Sequence, residues 1–315
     1  MFAVLIIKKK NQKRFALSHM IFACSQLPFP IDEQVKTGKK QVRRGTLKKL
    51  HRRYTESEPN KRLNAISKNT LEVIMENFSF YSPTYFVFGK GTEAETGKLV
   101  KKYGGHKVLI HYGGGSVKRS GLLDRVKAAL DAEGIAYVEL GGVKASPHAD
   151  LIYEGIELAK KEGVDFVLPI GGGSVMDSAK GIALGVKYDG DFWDFYCGKK
   201  GPVTEALPVG CVVTIAASGS EGSTDSVVTL VTEDGHQYKR CADGDILRPL
   251  FAIMNPELMM TLPPYQTASG LADIFAHCLE RYFSHTKDCE LTDRMLEAVM
   301  LTIIKEGRRV MKDPN

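Results

Sequence analysis

From residue 107 onward, apolar positions fall in two alternating kinds of block. Residues 107–112 (KVLIHY) form a short apolar run ending in glycines, and 122–132 then places Leu122, Leu123, Val126, Ala129 and Leu130 on one side of a helical repeat. That predicts a strand and then a helix. The alternation recurs, with strands at 135–140 (IAYVEL) and 164–170 (VDFVLPI) and helices at 151–161 and 175–186. Units of about 30 residues predict parallel strands joined by helical crossovers, hence an open α/β sheet. Residues 207–213 read as a further buried strand, and 226–232 as an alternating segment. Past Leu262-Pro263-Pro264 the pattern turns helical, with amphipathic stretches at 265–283 and 290–311.

The glycines gather at one edge of this sheet. Gly113-Gly114-Gly115, Gly141-Gly142 and Gly171-Gly172-Gly173 each follow a strand, at the carboxyl edge where parallel sheets bind ligands. Both triplets run into serine, giving GGGS at 113–116 and 171–174. In the second, Ser174 opens the helix with Asp177 three residues on, a capping-box spacing that predicts free backbone N–H groups facing the loop. Such groups beside glycines suit a pyrophosphate. A tight turn alone explains one GGGS; two in register argue for a ligand. Neither is the G-x-G-x-x-G fingerprint, because Lys118 and Met176 stand where its third glycine belongs. The GGGSVKR turn has no acid to hold a ribose diol and offers Ser116, Lys118 and Arg119 instead, which favours a 2′-phosphate and hence NADP over NAD. The run TIAASGSE at 214–221 adds small hydroxyls that either donate to a cofactor or form a polar turn.

Composition changes the picture mainly in the first quarter of the chain. At 315 residues, 43% hydrophobic and 25% charged, the chain has globular composition and length for roughly two domains, which excludes collagen, coiled coil and disorder throughout. The net charge of +6 divides into +12 for residues 1–74 and −6 for residues 75–315. A polyanion partner is therefore argued only for the leader, and no nucleic acid is expected for the body. Residues 1–74 read as a basic, disordered extension. They match a signal or transit peptide poorly, because Ser18, His19 and Ser25 interrupt the apolar part. Met75 is an alternative natural start. No run approaches the ~18 residues of a spanning helix, so no membrane partner is expected. Six cysteines without a CxxC pair read as reduced thiols, which points to the cytoplasm.

Within the helical part, Asp273 and His277 stand at i and i+4, so both side chains leave one helix face and could share a metal. A D-x-x-x-H pair alone is more often a carboxylate–imidazole hydrogen bond, and a catalytic metal wants three protein ligands or more. His111, His148 and His236 read as surface or turn residues.

Together these segments resemble the iron-containing (group III) alcohol dehydrogenase family, in its NADPH-dependent butanol dehydrogenase and aldehyde reductase branch. The resemblance runs through FVFGKG at 86–91, HYGGGSVKRSG at 111–121, IGGGSVMDSAK at 170–180, the 214–221 run, MNPELMMTLPP at 254–264 and the D-x-x-x-H pair. It implies an open parallel-sheet dinucleotide-binding domain at 75–262 and the start of an all-α metal-binding domain at 263–315. Gly113, Gly114 and Ser116 would hold the 2′-phosphate side, and Gly172, Gly173, Ser174 and Asp177 the pyrophosphate and adjoining cofactor. Thr214, Ser218 and Lys239 match further cofactor contacts, with Ser218 in place of a more usual threonine. Asp273 and His277 match two metal ligands, for iron or zinc acting as a Lewis acid on a small alcohol or aldehyde.

Two further histidine ligands of relatives lie beyond the point this chain reaches, and His285 is a poor replacement. The expected protein is thus an NADP-dependent, metal-containing alcohol dehydrogenase, cytoplasmic and homodimeric. The alternative is a truncated chain that binds dinucleotide without turnover. A lyase of the dehydroquinate synthase type shares the architecture, but its basic phosphate-binding residues are not recognisable here.

Overall fold

The computed structural model describes residues 79–284 and 289–313. The basic extension at 1–74 and His285 lie outside the described residues. Six strands form one parallel sheet: β1 (Tyr85–Phe88), β2 (Lys107–Tyr112), β3 (Ala136–Leu140), β4 (Phe166–Gly171), β5 (Gly210–Val213) and β8 (Phe251–Met254), in the order β1-β8-β5-β4-β2-β3. Between β5 and β8 the chain forms an antiparallel hairpin of β6 (Asp225–Val231) and β7 (Gln237–Asp243). The helices are α1 (Thr96–Lys102), α2 (Ser116–Arg119), α3 (Leu122–Asp131), α4 (Ala149–Glu162), α5 (Gly173–Lys187), α6 (Trp193–Tyr196), α7 (Pro264–Tyr282) and α8 (Glu290–Val310).

Strand periodicity divides the core between the two faces of the sheet. Val108 and Ile110 of β2, with Phe166 and Leu168 of β4, pack under Leu99 of α1 and Val126 and Leu130 of α3. Leu109 and Val167 point the other way, against Ile152 of α4 and Ala179 and Ile182 of α5. Strands covered on both sides read as continuous apolar runs, which is why β2 and β4 were visible without alternation. A third cluster joins α7 to α8 through Ile274, Cys278, Leu296, Val299 and Ile303.

The same parity corrects the expectation for His111. Sharing a face with Leu109, it is fully buried in β2 against α5 and is neither surface nor turn. His236 is exposed in the β6–β7 hairpin turn, and His148 immediately precedes α4. Cys197, Cys211 and Cys241 are free thiols, and no helix among the described residues is long and apolar enough to cross a membrane.

β3 lies beyond β2 at one end of the sheet, whereas β4 pairs with the opposite side of β2. The chain therefore reverses its direction of travel across the sheet at β2/β4. In open α/β sheets the ligand crevice lies at such a reversal, outside the strand carboxyl ends.

Candidate cofactor site

Both Gly-Ser turns flank that reversal: GGGS at 113–116 leaves β2 and GGGS at 171–174 leaves its neighbour β4. The loop after β3 continues alongside the first turn, with Gly142 N–H donating to Gly113 O at 3.0 Å. The loop after β5 continues alongside the second, with Thr214 N–H donating to Gly171 O at 3.0 Å. Four loops thus meet on one rim.

The second turn is the more closely built. Helix α5 begins at Gly173 with extended Gly172 as its cap; Val175 and Met176 N–H donate to Gly172 O, while the N–H groups of Gly173 and Ser174 precede these bonds and have no acceptor within the helix. A Cβ on Gly173 would overlap Ser218 Oγ, so glycine is what lets the helix start touch that loop. Gly172 abuts Ile215 in the same way. The capping box expected from Ser174 and Asp177 does not form. The helix starts at Gly173, two residues before the expected Val175, leaving Ser174 inside its first turn. Ser174 Oγ instead accepts from Ser146 N–H at 3.2 Å. Ser146 is the one described non-glycine residue with a left-handed backbone, at φ 55°. Asp177 turns to the side and accepts from Ser220 Oγ at 2.7 Å. Burial raises its pKa, opposed by Lys180 and by hydrogen bonds from Ser220 and the Val227 backbone.

The first turn is more open. Gly113 is half-buried, while Gly114 and Ser116 are exposed, and Ser116 opens the short helix α2. Lys118 folds back over the Tyr112 ring, its Nζ 5.2 Å from the ring centre, and the Arg119 guanidinium lies against Gly115. The nearby acid Glu139, one residue from the end of β3, accepts from the Tyr112 hydroxyl at 3.0 Å and pairs with Lys127. Burial pushes its pKa up, but Lys127 and Tyr112 outweigh that and hold the carboxyl below its ordinary value.

Helix α7 joins the rim through another glycine. A Cβ on Gly270 would strike the Ala216 carbonyl oxygen, so the helix backbone rests on the loop after β5. Asp273 and His277 follow Gly270 at three and seven residues, on the same flank of α7. Their nearest charged atoms, Asp273 Oδ1 and His277 Nε2, stand 3.7 Å apart, beyond hydrogen-bond range, and both side chains are about half exposed. The pair fits two positions of a divalent shell. No group of three His, Cys, Asp or Glu that could complete one occurs among the described residues. Lys239 stands exposed on β7 opposite Thr229, and Thr229 N–H donates to Pro147 O at 2.8 Å, so the hairpin leans on the loop after β3.

The sequence reading gave Lys180 no role, placed His111 at the surface or in a turn and counted Ser220 only among the small hydroxyls of 214–221. His111 bonds to Leu140 O through Nδ1 at 2.8 Å and to Ser178 Oγ through Nε2 at 2.9 Å. Lys180 is fully buried, and Ser220 is nearly so. The signal for Lys180 was a lone lysine among Val175, Met176, Ala179, Ile182, Ala183 and Leu184, where a charge survives only with partners.

An α/β sheet with glycine-rich loops at its reversal and a helical pair on the rim defines a nucleotide-binding architecture. The sequence profile of the iron-containing alcohol dehydrogenases matches residues 83–256. The chain belongs to the iron-containing alcohol dehydrogenase family. It is 41% identical over 240 residues to NADH-dependent butanol dehydrogenase A of Clostridium acetobutylicum, covering 76% of this chain and 60% of that protein. It is 36% identical over 242 residues to the NADPH-dependent aldehyde reductase YqhD of Escherichia coli, covering 76% of this chain and 61% of that one. Among solved structures, that of NADH-dependent butanol dehydrogenase A from Thermotoga maritima superposes with a TM-score of 0.73 at 41% identity, over 76% of this chain and 59% of that chain. The chain thus spans about 60% of the length of these relatives.

Proposed function

We propose that this protein binds NADP(H) across the two Gly-Ser turns and transfers a hydride between it and a small alcohol or aldehyde. The observation that carries the reading is the packing of Gly173 on Ser218, which sets the donor-rich start of α5 beside a hydroxyl-bearing loop on the same rim as the first turn. Gly172, Gly173 and Ser174 bind the pyrophosphate through backbone N–H groups and one hydroxyl. Asp177 braces this turn through Ser220. Thr214 and Ser218 orient the nicotinamide half, and Lys239 adds a positive charge on the hairpin side.

Gly113, Gly114 and Ser116 receive the adenosine end. Relatives bear both NADH and NADPH in their names, and the preference for NADP here is supported by side chains at the first turn. Arg119 lies against that turn, and Glu139 of the adjacent strand β3 is engaged by Lys127 and Tyr112 and so is not offered to a ribose diol. A bound iron or zinc ion, held in part by Asp273 and His277, would supply Lewis-acid polarisation of the substrate oxygen. In this reading the protein is cytoplasmic, in keeping with the free thiols of Cys197, Cys211 and Cys241, and homodimeric.

A second reading, dinucleotide binding without turnover, is favoured by the two-donor set on α7, which no third His, Cys, Asp or Glu joins among the described residues. Calorimetric titration with NADPH and NADH, metal analysis by mass spectrometry and an aldehyde-dependent NADPH oxidation assay test both. Tighter binding of NADPH with steady oxidation supports hydride transfer. Cofactor binding without stoichiometric metal or oxidation selects the second reading, and failure to bind either dinucleotide overturns both.

A further inference from the structure

Lys180 lies on the flank of α5 facing the loop after β5, with no exposed surface. Its Nζ stands 2.9 Å from Ser220 O, 2.9 Å from Ser223 O, 2.8 Å from Asp225 O and 2.9 Å from Ser220 Oγ. Carbonyl oxygens only accept, so three of them require three N–H donors, the number an ammonium has and a neutral amine lacks. Burial pulls the pKa of Lys180 down, and the neighbouring carboxylates of Asp177 and Asp225 oppose it; the three carbonyls identify the ammonium as the form present. Ser220 Oγ donates a hydrogen bond to Asp177 Oδ1 at 2.7 Å, so one hydroxyl links the buried cation to a buried carboxylate.

The acceptors are spread over residues 220–225, immediately after the Ser218–Gly219 bend that meets Gly173. No apolar side chain in that position could gather three carbonyls. We propose that Lys180 is a positioning residue for the cofactor: its ammonium fixes the loop from Thr214 to Asp225 so that Ser218 rests on Gly173, and thereby shapes the seat of the dinucleotide beyond its adenosine end. This inference rests on the dinucleotide reading of the site. The first turn, after β2, does not depend on this clamp.

The asymmetry gives the test. The full-length protein, Lys180→Met and Ser220→Ala are titrated with NADPH and with adenosine 2′,5′-bisphosphate, a fragment that reaches only the adenosine end. Lys180→Met weakens NADPH binding by about tenfold or more and leaves the bisphosphate within about twofold; Ser220→Ala, which keeps all three carbonyls, weakens NADPH alone by about threefold. A merely structural role would lower affinity for both ligands by the same factor, and that result overturns the proposal, as does unchanged NADPH binding. If Lys180→Met fails to fold, Ser220→Ala carries the test with the same outcomes. A wild-type protein that binds neither ligand refutes the dinucleotide reading itself and the positioning role with it, a result distinct from a failure confined to the variants.

Discussion

The Ser178 hydroxyl donates to His111 Nε2 across 2.9 Å at the buried interface of β2 and α5. The direction follows from the other ring nitrogen: Nδ1 faces the Leu140 carbonyl, which only accepts, so Nδ1 carries the proton and Nε2 receives. The imidazole is held neutral, and burial pushes its pKa down to about 4, with the Leu140 hydrogen bond acting the other way. An unfolded histidine titrates near 6.5, so on acidification the unfolded chain takes up this proton first. The contribution of His111 is therefore fully present above about pH 6.5 and is lost as the pH falls towards 4, up to about 3 kcal/mol at about 1.4 kcal/mol per pH unit. His111→Gln, whose amide can serve both partners, removes this dependence. Denaturant unfolding at pH 7, 5.5 and 4.5 should show a shallower loss for the variant; equal slopes would refute the assignment.

Gly173→Ala forces a methyl group onto Ser218 Oγ. Relief requires the helix start or the loop to shift, at a cost of about 1–3 kcal/mol for overpacking at a tight contact. The expected result is a melting temperature lower by several degrees and NADPH affinity reduced about tenfold or more. Thermal denaturation and calorimetry on the same preparation measure both, and wild-type values in each would disprove the close contact.

Asp273 and His277 are half exposed and 3.7 Å apart, a pair with little to contribute to folding. Either alanine substitution should change stability by less than about 1 kcal/mol. Divalent-metal uptake should fall sharply, because each substitution leaves a single donor on that flank. Zinc titration with parallel thermal melts separates the two effects. Retention of full metal affinity after both substitutions would move the metal site elsewhere.

Cofactor preference should reside in the first turn. Arg119→Ala and Ser116→Asp are each expected to lower the ratio of NADPH to NADH affinity by about tenfold, the aspartate by repelling a 2′-phosphate and offering an acceptor to a ribose hydroxyl. Competition titrations with the two dinucleotides give the ratio directly. A ratio insensitive to both changes would remove the 2′-phosphate from this turn.

Legibility of the fold followed burial. β2 and β4 declared themselves because both faces are covered, and α3, α4, α5, α7 and α8 because each carries an apolar stripe. β7 gave no signal, since six of its seven residues are exposed. β1 and β8, four residues each, are too short to show a period and were visible only as fragments of motifs. At the site, the glycines located the rim because they mark backbone turns after strands, whereas the Asp177 side chain was misdirected by a spacing rule. With the helix beginning at Gly173, Asp177 is its fifth residue and faces what packs beside the helix, where Ser220 is the partner. His111 was misjudged by counting it as a polar residue beside glycines; its parity with Leu109 was the better guide.

The approach of α7 to the loop after β5 is made by bare backbone, with Gly270 against the Ala216 carbonyl and no side chain to serve as spacer or bearing. Sliding the helix by one position would drive Leu271 into that carbonyl, so the seat acts as a key that admits a single register. The placement of Asp273 and His277 thereby depends on the absence of a methyl group upstream on the same helix: a larger residue at 270 would force α7 or the loop to give way, displacing both side chains relative to the rim while leaving their sequence spacing intact.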